Sequence, residues 1–259
     1  MTTIERDGYT LSFRNGEEFD LIYNEIFDAK PYEFVAGHAA PLILDAGAHV
    51  GLATLYFKRL YPHARIVAFE PNPVTFALLE RNVRQNGLED VELVQAALAA
   101  TPGSVPFYIS RETELPWSWG DAATHTAWYS EETTSVIRVP AVTLSSFLTQ
   151  PVDFLKLDVE GLELIVLGEA AARLPKVKQL VIEVHGSRDD PTKSVARVLR
   201  LLRKRGFSYT VAQDGNLVDE RDIRKDESYV LLVRARRRRG GILARWLGSL
   251  PRFRRSRQQ

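Results

Sequence analysis

The 259-residue sequence contains no cysteine, which excludes disulfides and every metal site built on thiolates. No segment approaches the roughly 18 consecutive apolar residues of a membrane-spanning helix. The start, Met-Thr-Thr-Ile-Glu-Arg-Asp, lacks the apolar stretch of a secretory signal. These absences predict a cytoplasmic protein without spans. Acid is also lacking, but only at one end: from Arg234 onward there are ten arginines and no Asp or Glu. Residues 1–233 hold 24 basic against 33 acidic side chains, so the formal net of +1 conceals a body at −9 and a cationic tail. With 45% apolar residues, the chain can bury one substantial core without dividing.

The densest signal is residues 42–51, Leu-Ile-Leu-Asp-Ala-Gly-Ala-His-Val-Gly, followed by a helical run over 52–60. Three aliphatic residues leading into Asp45 predict a strand buried on both faces. Gly47 and Gly51 allow a tight turn and a close backbone approach. Leu52, Leu55, Tyr56 and Leu60 then share one helical face. Strand, glycine turn and helix start predict a ligand site at the carboxyl end of a parallel strand. The pattern Asp-x-Gly-x-x-x-Gly departs from the Gly-x-Gly-x-x-Gly of nicotinamide dinucleotide sites, and its carboxylate repels a pyrophosphate. That argues against a dehydrogenase. The carboxylate suits a ligand carrying an ammonium and a sulfonium, as S-adenosylmethionine does; the plain alternative is an Asp that caps the helix.

Glu70 ends a second apolar strand over 65–69, 25 residues after Asp45, near the spacing of the acidic residue that holds ribose hydroxyls. Asn72-Pro73 reads as N-cap and first helical residue. Asp45 and Glu70 are expected to face ligand at strand ends, with neither supporting the core.

Before this lies a segment with a hairpin signal at Asn15-Gly16, between residues 8–13 and 19–23, then a partly helical 24–34 broken by Pro31. It reads as a cap over the first strand's carboxyl end, with Tyr23, Phe27 and Tyr32 lining the site or anchoring the cap. After Glu70 come a helix over 74–86, whose apolar positions are Val74, Ala77, Leu78 and Val83, and a strand over 91–95. Added strands over 104–110 and 135–139 enclose an insertion holding Trp117, Trp119, His125, Trp128 and Tyr129, suited to stacking on sugar or other rings. Strand 152–157 puts Phe154, Lys156 and Asp158 on one face, and Lys156 needs a carboxylate partner, Asp45 or Asp158. A helix over 162–172, a strand over 179–184, a helix over 194–204 and an antiparallel pair over 206–211 and 229–233 complete an α/β chain.

Four stretches stand in series: Asp45-Ala-Gly47-Ala-His-Val-Gly51, Glu70-Pro-Asn-Pro73, Lys156-Leu-Asp158-Val-Glu160-Gly161-Leu-Glu163 and Ile182-Glu183-Val-His185. The series resembles the FkbM family of S-adenosylmethionine-dependent methyltransferases over about residues 20–233. The resemblance implies a Rossmann-like class I methyltransferase fold, an α/β architecture with a seven-stranded, mostly parallel sheet and helices on both faces. It implies methyl transfer mainly to hydroxyl oxygens of glycans or natural products, polysaccharide biosynthesis included. The cofactor residues are then Asp45, Gly47, Ala48, His49, Gly51, Glu70, Pro71, Asn72, Ala96 and Asp158. The organisation is a cap over 1–40, a catalytic domain over 41–233 with the insertion 111–134, and the tail 234–259.

Methyl transfer needs the acceptor positioned, its proton removed and water excluded. His185 has the ordinary pKa range of a general base, with Asp158 and Glu160 as rivals and Lys156 beside them. Asp158, Glu183 and His185 together can instead gather a divalent cation that acidifies an acceptor hydroxyl. Glu163 is expected on its helix surface or capping the first turn. In the tail, Ile242, Leu243, Trp246, Leu247 and Leu250 fall on one helical face, flanked by arginines over 236–257, the pattern of a membrane-surface anchor. Such an anchor would bring the enzyme to a lipid-linked or cell-surface glycan. RNA binding is the alternative for the same charge, and a methyltransferase-fold binding module is the alternative to an enzyme.

Overall fold

The computed structural model describes residues 1–110, 118, 121–123, 134–188, 194–225 and 228–238. The expectations for Trp117, Trp119, His125, Trp128, Tyr129 and residues 239–259 therefore lie outside the described residues. The chain opens with β1 (Thr2–Arg6), β2 (Tyr9–Phe13) and α1 (Gly16–Phe27). Then come β3 (Leu42–Ala46), α2 (Leu52–Leu60), β4 (Arg65–Phe69), α3 (Pro73–Gln85), β5 (Val91–Val94) and β6 (Ala97–Leu98). The middle holds β7 (Gly103–Ser110), β8 (Thr134–Val142), α4 (Leu144–Phe147), β9 (Val152–Leu157) and α5 (Glu163–Glu169). It ends with β10 (Val177–Ser187), α6 (Val195–Lys204), β11 (Phe207–Gln213), β12 (Asn216–Val218) and β13 (Ser228–Arg237).

The main sheet runs β12-β11-β13-β10-β9-β3-β4-β5, with β10, β9, β3, β4 and β5 parallel and β13 antiparallel to both its neighbours. It has eight strands, not the seven expected. The extra one is β12, which doubles back through Asp214-Gly215, both at positive φ, to pair with the end of β11. Central strands β3 and β9 are buried along their whole length. Alternation sends Ile43, Phe154 and Val181 to the face covered by α2, α3 and the N-terminal segment. Leu44, Leu155, Leu157 and Ile182 point to the opposite face, under Leu144, Val166, Leu167 and Val198 of α4, α5 and α6.

Two readings of the N-terminal segment need correction. The hairpin turn is Asp7-Gly8, with φ of 51° and 81°, between β1 and β2. Asn15 instead caps α1, its side-chain oxygen accepting from the amides of Glu17 (3.0 Å) and Glu18 (3.1 Å). Asn serves both roles, and the 3.6-residue spacing of Phe19, Tyr23, Ile26 and Phe27 decides for a helix. Phe13 stacks on Phe19 (4.1 Å), Tyr23 on Phe27 (4.3 Å), and Phe27 meets Tyr56 of α2 edge-on (5.6 Å). Tyr23 and Phe27 thus anchor the segment. The face expected for α3 is also rotated: Val74 is exposed, and Thr75, Leu78, Leu79, Asn82 and Val83 point inward.

β7 and β8 pair antiparallel, and with β6 they form a separate three-stranded sheet. Among the described residues, no helix is long and apolar enough to cross a membrane.

Asn82, fully buried, ties three parts of this face together. Its amide donates to the carbonyls of Ser12 (3.0 Å) and Val50 (2.8 Å) and accepts from the Ser12 amide (2.7 Å) and Gln85 (2.8 Å). Asn82→Leu removes these bonds and leaves buried backbone groups unpaired, so a loss of about 2–4 kcal/mol is expected. Denaturant unfolding checks the magnitude. Faster proteolysis of residues 1–15 would show that β1 and β2 detach first.

Candidate active site

The turn after β3 is set by what surrounds it. Gly47 has φ +81°, and a Cβ there would lie 1.9 Å from the backbone oxygen of Asp158, so the close approach is to the end of β9. The amides of Gly47 and Ala48 donate to the Phe69 carbonyl at 3.1 and 2.9 Å, locking the turn to β4. Gly51 has φ +92°, and a Cβ there would sit 2.7 Å from Leu79 Cδ1.

Asp45 is wholly buried: one oxygen accepts from Thr54 Oγ1 (2.7 Å), while the other has no hydrogen bond among the described residues and lies 3.8 Å from Lys156 Nζ. Burial raises its pKa against the pull of Lys156. The expectation that Asp45 lies outside the core is corrected, because its charge helps to solvate a buried ammonium.

Glu70 accepts the amides of His49 and Asn72, both at 2.9 Å, one on each oxygen. Burial pushes its carboxyl up to about 8, with both amide bonds opposing. Asn72 caps α3 through the Val74 amide (2.8 Å) and donates to Asp121 (2.6 Å). Pro71 lies between Glu70 and Asn72, half-buried, and Ala96 is buried just beyond β5, its amide on the Val94 carbonyl. His49, at φ 52°, sets Nε2 2.7 Å from Ser118 Oγ, whose amide donates to Glu18 (2.5 Å). Burial keeps the His49 imidazole below its usual range.

At the ends of β9 and β10 a second group of charges gathers. Lys156, 3% exposed, donates to the Gly47 carbonyl (2.7 Å) and to Asp158 (3.3 Å). Both carboxylates expected for it are within 4 Å. Burial works against its charge, but Asp158, Asp45 and Glu183 outweigh that and hold the ammonium above its ordinary pKa. Tyr32 donates to Glu183 at 2.5 Å, so of the three cap aromatics this one reaches the site.

His185 is clamped on both sides, with Nδ1 3.0 Å from Glu163 and Nε2 3.3 Å from Glu160. Burial disfavours its charge, yet Glu160 and Glu163 prevail and carry the imidazole up to about 10. The two carboxylates therefore favour the protonated imidazole over the neutral form. Glu163 is not on a helix surface but buried, also accepting the Gly161 amide (2.9 Å). Glu160 stands at φ 51°, a strained position for a non-glycine residue. One ligand atom each from Asp158, Glu183 and His185 lies within 4.8 Å of the others.

Glu18, Ser118 and Asp121 escaped the sequence reading, which also places Glu163 at its helix surface or first turn without its contact to His185. The Asn15 cap three residues before Glu18 marks a helix start that could have pointed to it, but nothing local marks Ser118 or Asp121. A small cavity of about 70 Å³ opens beside His49, Asn72, Glu18 and Ser118. A larger groove, about 650 Å³, runs along the outside of α3 past Met1, Val74 and Arg81, and none of its lining residues comes from a strand end of the main sheet.

A parallel sheet in this order, with carboxylates on successive strand ends, defines a class I methyltransferase. Residues 45–209 match the Methyltransferase FkbM domain. Methyltransferase 1 of Beauveria bassiana is 32% identical over 212 residues, 75% of this chain and 83% of that protein. The 31-O-demethyl-FK506 methyltransferase FkbM of Streptomyces tacrolimicus is 28% identical over 235 residues, 80% of this chain and 89% of that protein. The chain belongs to the FkbM family of methyltransferases. The crystal structure of methyltransferase FkbM from Methylobacillus flagellatus superposes with a TM-score of 0.51 at 12% identity, over 82% of this chain and 47% of that one, and shares the fold.

A histidine whose folded pKa lies above its unfolded value stabilises the fold fully below the unfolded pKa, near 6.5, and loses that contribution as pH rises through about 10. His185→Gln should therefore cost about 3 kcal/mol at pH 6 and much less at pH 10, measured by denaturant unfolding at the two pH values. Imidazole NMR of the metal-free protein is expected to show His185 still protonated at pH 8.

Proposed function

We propose that this methyltransferase uses S-adenosylmethionine to methylate a hydroxyl oxygen of a glycan or another polyhydroxylated natural product. The observation that carries this reading is the partly exposed carboxylate pair Asp158 and Glu160, beside the buried cations Lys156 and His185. The relative from Streptomyces tacrolimicus, named a 31-O-demethyl-FK506 methyltransferase, favours the same chemistry.

The residues present fit the cofactor. The Asp45 oxygen without a hydrogen bond is buried, and each Glu70 oxygen accepts only one amide and has capacity left for hydroxyls. Asp45, Gly47, Ala48, His49, Gly51, Glu70, Pro71, Asn72, Ala96 and Asp158 remain our cofactor set. Once bound, S-adenosylmethionine supplies a methyl group on a sulfonium, open to in-line attack by oxygen.

The chain's own residues do the rest. Lys156 fixes the Gly47 turn against Asp158, which keeps the cofactor loop and the acceptor side in register. An alcohol that is gaining a methyl group becomes strongly acidic, so a carboxylate suffices to take its proton. We assign that role to Glu160. His185 is a positioning residue that holds Glu160 through Nε2 while Glu163 holds Nδ1.

A second reading rests on the Asp158, Glu183 and His185 cluster. A divalent cation there would displace the proton from His185 and acidify the acceptor hydroxyl directly.

Glu160→Gln is expected to lower kcat by about 10²- to 10⁴-fold with little change in S-adenosylmethionine affinity, and a chelator to have no effect. Loss of activity on chelation, restored by Mg²⁺, would transfer the chemistry to the cation. Asp45→Asn is expected to weaken cofactor binding by about 1.5–3 kcal/mol in calorimetric titration. Labelled S-adenosylmethionine incubated with host extract, followed by mass spectrometry, tests the acceptor class: label on nitrogen or carbon would reject O-methylation.

A further inference from the structure

The sheet has a basic end. β13 finishes with Arg236 and Arg237, and Arg238 follows it; all three are exposed. Arg236 pairs with Gln179 near the start of β10 and with Ser208 near the start of β11, so these arginines lie where the parallel strands begin. The Arg238 amide bonds the Gly206 carbonyl (2.9 Å), which brings the last turn of α6, with exposed Lys204 and Arg205, to the same end. Lys178 joins them from β10. Arg203 and Lys178 are balanced by Glu220 (2.7 Å) and Asp153 (2.6 Å), and the other cations leave this end net positive.

The opposite end is the acidic mouth. Along β10, six residues separate Gln179 from His185, about 20 Å of extended chain. Asp45, Asp158, Glu160, Glu163 and Glu183 cluster at that far end around Lys156 and His185, an excess of acid over base. The molecule is therefore an electrical dipole with its site at the negative pole.

We propose that the basic end docks on an anionic lipid surface and turns the catalytic mouth toward water, so that the acceptor arrives from the aqueous phase and not from the bilayer. An anionic surface attracts one pole and repels the other, which fixes orientation as well as binding. This reverses the expectation that anchoring would bring the mouth to a lipid-linked glycan. Lipid is the better match than RNA for two reasons. The sequence beyond Arg238 adds six arginines together with Ile242, Leu243, Trp246, Leu247 and Leu250, apolar groups that a bilayer can accept. Among the described residues, none of the large exposed apolar side chains is aromatic, so the basic end, as far as it is described, presents no exposed ring on which bases could stack. The proposal concerns orientation, and its readouts do not depend on methyl transfer.

The full chain is mixed with phosphatidylcholine vesicles, with and without phosphatidylglycerol, at low salt. Binding is expected only with phosphatidylglycerol. Lys204→Glu, Arg205→Glu and Arg236→Glu combined should lower partitioning at least about tenfold, and Arg236→Glu alone severalfold, with circular dichroism unchanged. The lack of cysteine gives a direct orientation test. A fluorophore on Lys204→Cys is expected to be quenched by nitroxide-bearing lipid, and one on Val74→Cys, at the mouth end of α3, is not. Partitioning that ignores the charge reversals, equal quenching at both positions, or poly(U) binding without vesicle binding would overturn the proposal.

Discussion

Lys156 is the constraint around which the centre of this protein is arranged. An ammonium buried in the middle of a parallel sheet is untenable alone, since desolvation costs several kcal/mol unless charge and hydrogen bonds compensate it. Here the compensation comes from four directions: the Gly47 carbonyl, Asp158, Asp45 and the face of the Tyr32 ring at 5.4 Å. They come from three pieces of chain: the end of β3 with its turn, the end of β9, and the N-terminal segment. The glycine at 47 follows from the same contact, because only a residue without Cβ lets the β3 turn come so close to Asp158. The lysine thereby couples the turn after β3, Asp158 and the N-terminal segment into one unit.

Much of this was legible from residue order because local and global signals agreed. The strand Leu42–Ala46, the helix Leu52–Leu60 and the N-cap at Asn72 each follow from periodicity and capping rules that the tertiary fold does not contradict. The need of Lys156 for Asp45 or Asp158 followed from charge alone. What was not legible depended on groups far apart in sequence. Glu163 looks like an ordinary first-turn acid until His185, 22 residues on, is brought against it. Ser118 meets Glu18 across 100 residues, and Tyr32 meets Glu183 across 151. The Asn15 error was of another kind, as Asn-Gly satisfies turn and cap rules equally.

The histidine illustrates why spacing does not fix a role. An imidazole at a strand end, taken alone, has the ordinary pKa of a base. With one carboxylate on each nitrogen its charged form is favoured, the opposite of what its position at a strand end suggests by itself. Asp45 carries the converse lesson. Its position predicted a ligand contact, but its burial means that the same charge also stabilises the ammonium next to it. Ligand binding and folding therefore draw on one set of carboxylates, and variants at these positions must be read for both effects.

The separation of charge along the sheet is a product of topology. Parallel strands give the sheet two chemically distinct ends, and ligands gather where the strands finish. β13 is antiparallel, so its last residues return to the end where β9 and β10 begin. Any segment that follows β13 must leave from there. Had β13 run parallel, its arginines would lie against the carboxylates of the mouth, where they would pair with Asp158, Glu160 and Glu183 and compete with Lys156 and His185. The reversal of β13 keeps the cationic end about 20 Å from the anionic centre, so neither neutralises the other.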